Sequence, residues 1–316
     1  MKRAPDISTS SGSLALSAPI AAPRTPSRFA DLLSLTKPRM NVLVLATTAV
    51  GYYMAIDRLT SWLPLIHLLL GTAMTAGAAS VLNQFIERNH DRLMPRTRNR
   101  PLPAGRIAPT EALLLGLTLS LAGTIYLALA VNILTAALGL FTLLSYIFLY
   151  TPLKRITSLN TVVGAIPGAI PPVMGFTAVD GALSAQAISL FAILFLWQMP
   201  HFLAIAILYR NDYAAGGFKM LPVIDKDLSI TSRQILLYSL ALVPVTLLPV
   251  ALNMAGAAYF CTATLLGMAF FTFGINVAAT KSRDDAKRLF IASIIYLPIL
   301  LTTLMLNKTT FFDLAN

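Results

Sequence analysis

Apolar runs long enough to cross roughly 30 Å of hydrocarbon at about 1.5 Å per helical residue constrain this chain more than any other feature. They fall at Asn41–Ile56, Trp62–Leu82, Ala108–Ala130, Ile133–Tyr150, Thr161–Val179, Ala185–Leu208, Ile235–Leu252, Ala257–Ala279 and Leu289–Leu306. A soluble domain carries about a quarter charged residues, whereas here 12% are charged and 56% hydrophobic. The mean hydropathy is +0.73. Lipid is therefore the solvent, and the expected fold is an all-α, polytopic bundle of nine transmembrane helices. Prolines and glycines within several runs are compatible with this, because neighbouring helices re-satisfy the backbone in a membrane.

The formal net charge of +11 invites a nucleic-acid reading, but the placement of the charge argues against it. Of the 24 Lys and Arg, all but Arg58 and Lys308 fall in the N-terminal segment and in alternate loops. That is the positive-inside pattern. It places the N-terminus inside, the C-terminus outside and the long polar loops on the cytoplasmic face. The outside connections near Val131, Gly181 and Met254 are short, so the chemistry is expected on the inner side. Residues 1–36, rich in Ser, Ala, Thr and Pro, are expected to be a disordered cytoplasmic tail. Residues 37–308 form the membrane domain and 309–316 a short outside tail. The single cysteine, Cys261, lies in an apolar run and excludes an internal disulfide.

At the end of the second run, Asn83, Glu87 and Asp91 recur every four residues and share one helix face. An amide and two carboxylates there form a hard oxygen surface suited to Mg²⁺, which takes few carboxylates and completes its shell with water and phosphate. Arg96, Arg98 and Arg100 follow, with guanidinium forks that match phosphate oxygens. A solvated loop would explain the arginines alone. It would not explain the four-residue period or Asn83 at membrane depth. A second long loop offers Tyr209, Asp212 and Lys219, with Gly216 and Gly217 between them. Asp212 is a candidate for a second metal and Lys219 for a phosphate contact, and surface ion pairing is an equal reading of both.

The stripe, followed by Met94-Pro-Arg96-Thr97-Arg-Asn-Arg100-Pro101, resembles the intramembrane aromatic prenyltransferases of the UbiA superfamily, most closely its heme-directed branch. Tyr150-Thr-Pro-Leu-Lys154-Arg155, Gly164 to Pro172, Trp197-Gln-Met-Pro-His201-Phe202 and Asp212-Tyr to Pro222 extend the resemblance over most of the chain. Glu87 stands where the superfamily commonly has Asp, and Gly216 where its second acidic motif commonly has a partner Asp.

The resemblance implies a prenyltransferase of the bacterial inner membrane with its active site on the cytoplasmic side. Farnesyl diphosphate is held through Mg²⁺ by Asn83, Glu87 and Asp91, with Arg96 and Arg100 stabilising the departing diphosphate. Heme B is the acceptor, giving heme O. His201 is an axial ligand or orienting contact for heme, or else a packing histidine. Lys154 and Arg155 meet heme propionates or diphosphate, with a plain topology role an equal reading, and Arg98 grips diphosphate oxygens. Phe85, Tyr146, Tyr150, Phe195, Trp197 and Phe202 are candidate walls, and contact with heme A synthase or an oxidase assembly is expected. A quinone-precursor acceptor, a secondary transporter and a structural respiratory subunit are the competing readings. Transport is disfavoured because its ionisable residues belong near the bilayer midplane.

Overall fold

A computed structural model of the protein describes residues 27–58 and 60–309. Its helices are α1 (Arg28–Leu35), α2 (Pro38–Ala55), α3 (Leu63–Asp91), α4 (Pro109–Ala130), α5 (Ile133–Ile156), α6 (Asn160–Asp180) and α7 (Ala185–Leu208). They continue as α8 (Arg210–Ala215), α9 (Leu221–Ile224), α10 (Ser229–Ala251), α11 (Ala257–Thr280) and α12 (Arg283–Leu306). Among the described residues no strand forms, and one isolated bridge joins Ala255 to Lys308. The fold is all-α, as expected.

Eight of these helices, α3 to α7 and α10 to α12, are long and apolar enough to cross a membrane. The first expected span coincides with α2, which is less apolar because Pro38, Arg39 and Asn41 fall inside it. Leu114, Leu117 and Leu121 on α4 and Leu265 on α11 are exposed, the side-chain distribution of a bundle whose solvent is lipid. The largest core lies among α7, α10, α11 and α12, around Leu190, Ile193, Ile235, Leu242, Tyr259, Phe270 and Leu300.

The expected disordered tail is corrected at its end. Residues 1–26 lie outside the described residues, but Arg28–Leu35 is a helix. Ser27 caps it by accepting from the Ala30 N–H, Asp31 receives two hydrogen bonds from Arg106 at 2.9 and 3.1 Å, and Leu35 is fully buried. An eight-residue helix is marginal alone; these tertiary contacts hold it. Of the expected 309–316 tail only Thr309 is described.

Close backbone approach fixes α2 against α6. A Cβ on Gly51 would lie 2.0 Å from the Pro172 carbonyl oxygen, and one on Gly175 would lie 2.2 Å from the Thr48 carbonyl oxygen. Small residues at such crossings let helices associate without a hydrophobic drive, since lipid tails are as apolar as leucine. Gly51→Ala or Gly175→Ala therefore forces α2 off α6 and costs about 1–3 kcal/mol. The expected result is an apparent Tm lower by several degrees in detergent, while Gly181→Asn, at an open position whose φ of 65° asparagine tolerates at small cost, lowers it less. Equal melting of all three variants and the native protein would refute this packing.

Candidate functional site

The four-residue stripe lies at the C-terminal end of α3 and is buried: Asn83 is 2%, Glu87 6% and Asp91 1% exposed. Such burial requires partners, because an uncompensated carboxylate in a low dielectric is expensive. Lys154 Nζ lies 2.8 Å from Glu87 Oε1, and Arg100 Nη1 lies 2.9 Å from Asp91 Oδ2. Asn83 donates from Nδ2 to Thr151 Oγ1 at 3.1 Å, which leaves its carbonyl oxygen free of that contact.

The partners on α5 come from a π-helical stretch, Ser145–Tyr150, that runs into the Thr-Pro-Leu-Lys segment. Such stretches shift register within a helix and recur at functional sites. Here Thr151 donates back to the Tyr146 carbonyl at 2.8 Å, and Lys154 lies 4.4 Å from the Tyr150 ring centroid on its way to Glu87. Tyr146 and Tyr150 face each other at 5.1 Å. Gly164 makes room for this pair, since a Cβ there would stand 2.5 Å from the Tyr150 ring.

The two long polar loops, far apart in sequence, meet at this mouth. His90 Nδ1 donates to the Gly216 carbonyl at 3.1 Å, Arg96 lies over the Tyr209 ring at 5.2 Å, and Met94 packs with Phe218 and Met220. The Lys219 N–H donates to the Lys154 carbonyl at 2.7 Å, and Asn160 donates to the Lys219 carbonyl at 3.1 Å. Phe218, absent from the expected walls, stands 6.0 Å from Lys154 Nζ. Phe85 instead packs with Leu35, Ile107 and Ala112 beneath Arg88. Phe195 stacks on Phe191, and Trp197 and Phe202 flank His201.

The loop arginines divide by role. Arg92 donates to the Pro103 carbonyl, and Arg106 holds Asp31. Arg98, Arg155 and Lys219 have exposed side chains at the rim. Asp212 is half-buried on α8, and among the described residues no group of three Asp, Glu, His or Cys converges, so the structure does not gather it with Glu87 and Asp91. Asp225 does not replace the missing acidic partner: its Oδ2 accepts from the Thr231 N–H at 2.6 Å and hydroxyl at 2.8 Å, closing the start of α10. His67 bonds Tyr126 at 2.7 Å, a packing role.

One residue beside the stripe escaped the sequence reading, which saw in it only a topological charge. Lys37 lies between α1 and α2 with a left-handed backbone, φ 49°. Burial, then the charges of Arg100 and Lys154, lower its ammonium from 10.5 to about 8, while Glu87 and Asp91 oppose that shift. Among the described residues it forms no ion pair. The mouth thus gathers three cations around two carboxylates, an excess of positive charge next to hard oxygen donors. That arrangement suits an anion that shares a metal ion with Asn83, Glu87 and Asp91.

Comparison with known proteins agrees. The UbiA prenyltransferase family model matches residues 44–297. The chain is 46% identical to the protoheme IX farnesyltransferase of Solibacter usitatus (strain Ellin6076) over 287 residues, covering 88% of this chain and 98% of that protein. It is also 46% identical to the Myxococcus xanthus (strain DK1622) protein of the same name, covering 90% and 96%. Among solved structures, that of a digeranylgeranylglyceryl phosphate synthase superposes with TM-score 0.75 at 16% identity, covering 88% of this chain and 97% of the other. A UbiA homolog from Archaeoglobus fulgidus bound to DMAPP and Mg²⁺ superposes with TM-score 0.64 at 18% identity, covering 87% and 99%. With a family match across most of its length and relatives of this similarity, the chain belongs to the UbiA prenyltransferase family.

Proposed function

We propose that this chain transfers the farnesyl group of farnesyl diphosphate to the 2-vinyl group of protoheme IX, giving heme O, at the cytoplasmic mouth of a multi-pass bacterial inner-membrane protein in which α2 is a ninth span. The name of the 46%-identical relatives supports both donor and acceptor. The single structural observation that carries the reading is the cluster of Lys37, Arg100 and Lys154 around the buried Glu87 and Asp91.

The donor set fits Mg²⁺: two buried carboxylates and one amide oxygen, with positions left for water and phosphate. When bound, the ion supplies neutralisation of the diphosphate oxygens and lowers the charge that the leaving group must carry. Asn83, Glu87 and Asp91 hold it. Lys37, Arg100 and Lys154 donate to the diphosphate as the allylic C–O bond breaks and its electron pair leaves with oxygen. The faces of Tyr146 and Tyr150 beside Lys154 suit the developing allylic cation and keep water from it. The vinyl π pair then forms the new C–C bond to the farnesyl carbon, and the cation left on the carbon next to the porphyrin takes up water, which loses a proton to solvent, to give the hydroxyethylfarnesyl group. His201, on α7, takes the heme iron, and the exposed Arg98, Arg155 and Lys219 at the rim suit propionates or diphosphate oxygens.

Purified protein in detergent, incubated with heme B, farnesyl diphosphate and Mg²⁺, is expected to yield heme O by mass spectrometry. Product only with 4-hydroxybenzoate as acceptor would overturn the heme assignment. Asp91→Ala removes turnover while membrane insertion stays near normal. Glu87→Asp keeps substantial activity and Glu87→Gln loses most of it, because charge on the metal outweighs one methylene of reach; native activity in Glu87→Gln would remove this residue from the site.

Lys37 predicts a pH dependence of binding. A bound diphosphate favours the ammonium and raises its pKa, so binding takes up protons and affinity falls as pH rises through about 8, by at most about tenfold per pH unit. Calorimetry between pH 7 and 9.5 reads this directly. Lys37→Arg keeps its charge and loses the inflection; a flat native profile would place Lys37 outside the anion site.

A further inference from the structure

Ser293 lies in the middle of α12, fully buried, between two side chains that stand four residues apart on α7. The Trp197 indole N–H donates to its carbonyl at 2.9 Å. His201 Nδ1 lies 2.7 Å from its hydroxyl oxygen. That hydroxyl has one proton, and the proton is spent on the Phe290 carbonyl at 2.6 Å. The contact with His201 must then be filled from the other side, with Nδ1–H donating and Ser293 Oγ accepting. The neutral ring consequently carries its proton on Nδ1, and its Nε2 lone pair is free.

The ring has little freedom to escape this arrangement. It stacks on Trp197 at 4.9 Å with 21° between the planes, and Phe290 and Phe202 close on it at 5.2 and 5.6 Å. Among the described residues no hydrogen bond reaches Nε2. The ring is thus satisfied at the nitrogen that faces α12, carries an unbonded lone pair at the other, and keeps partial exposure. A donated Nδ1–H also raises the basicity of Nε2, the usual support of a metal-ligating imidazole.

We propose that Ser293 is a positioning residue: it fixes His201 as the Nδ1–H tautomer and so presents Nε2 to the iron of a porphyrin. This rests on the proposed heme acceptor. It adds a specific claim, that acceptor binding is tuned from α12, far in sequence from the diphosphate cluster on α3 and α5.

The test compares native protein, Ser293→Ala, Ser293→Thr and His201→Asn, each titrated with heme B in detergent and examined in the ferrous state by resonance Raman spectroscopy. An asparagine amide reproduces the Nδ1 donor to Ser293 but has no group at the Nε2 position, so His201→Asn keeps the packing and removes the ligand. The native complex is expected to show an iron–imidazole stretching band that His201→Asn lacks. Ser293→Ala is expected to lower the frequency of that band and weaken heme affinity about tenfold or more. Ser293→Thr, which keeps the hydroxyl, restores both, and farnesyl diphosphate affinity is unchanged in all four proteins. A native band that Ser293→Ala leaves in place, with unaltered affinity, overturns the role of Ser293 alone. Native heme binding with a spectrum indifferent to His201→Asn overturns iron ligation by His201 while leaving heme as acceptor. Absence of native heme binding overturns the acceptor assignment itself.

Discussion

The burial of Glu87 and Asp91 at the membrane mouth is the constraint on which the rest of the site depends. Removing two carboxylates from water is costly, and Lys154 at 2.8 Å and Arg100 at 2.9 Å offset that cost. Neither pair is expected to contribute much net stability, but deletion of one partner strands a buried charge, a loss of about 3–5 kcal/mol in comparable settings. The acids and bases are therefore held together as a unit. Lys37 adds a charge without adding an acid, so the unit carries a surplus that only an anion balances.

Local backbone chemistry puts these groups within reach of one another. A straight α3 carries Asn83, Glu87 and Asp91 on one face, yet α5 must present Thr151 and Lys154 to that same face from a different direction. The π-helical stretch from Ser145 supplies the change of register, and Gly164 on α6 leaves room for the Tyr150 ring that the change displaces. The two long polar loops then meet beside the cluster through His90 on Gly216 and Arg96 on Tyr209. Lys154 is bound at both ends: its ammonium reaches Glu87 and its carbonyl receives the Lys219 N–H. A displacement of the second loop is in this way felt at the ion pair.

Much of this was legible because lipid leaves a plain signature. The apolar runs marked the helices, and a polar stripe at membrane depth had no inexpensive structural explanation. Lys37 was hidden because a lysine beside a span reads as a topological charge; its part emerges only when α1, α3 and α5 are brought together. The helix at Arg28–Leu35 was hidden because its stability lies in Asp31–Arg106 and in buried Leu35, contacts distant in sequence. Arg96, Arg98 and Arg100 look equivalent as a string, whereas the turns between Arg92 and Ile107 send one to Tyr209, one to solvent and one to Asp91. Asp225 and Asp212 likewise look alike, but Asp225 is spent on Thr231.

The two ends of the bundle satisfy their polar groups in different currencies, and this accounts for the one-sided chemistry. At the end opposite the stripe, His67 pairs with Tyr126 and Thr135 with Thr177, and other polar side chains bond backbone. Lys308 donates to the Tyr53 and Ile56 carbonyls, Asn307 accepts from the Tyr259 N–H at 2.8 Å, and Asn132 joins the Thr135 N–H at 2.8 Å to the Thr177 carbonyl at 2.7 Å. Removing such a side chain leaves helix-terminal backbone groups to find other partners. At the end that carries the stripe, carboxylates pair with cations, Glu87 with Lys154 and Asp91 with Arg100. Such a pair can open to a competing oxygen donor without removing a backbone hydrogen bond from any helix.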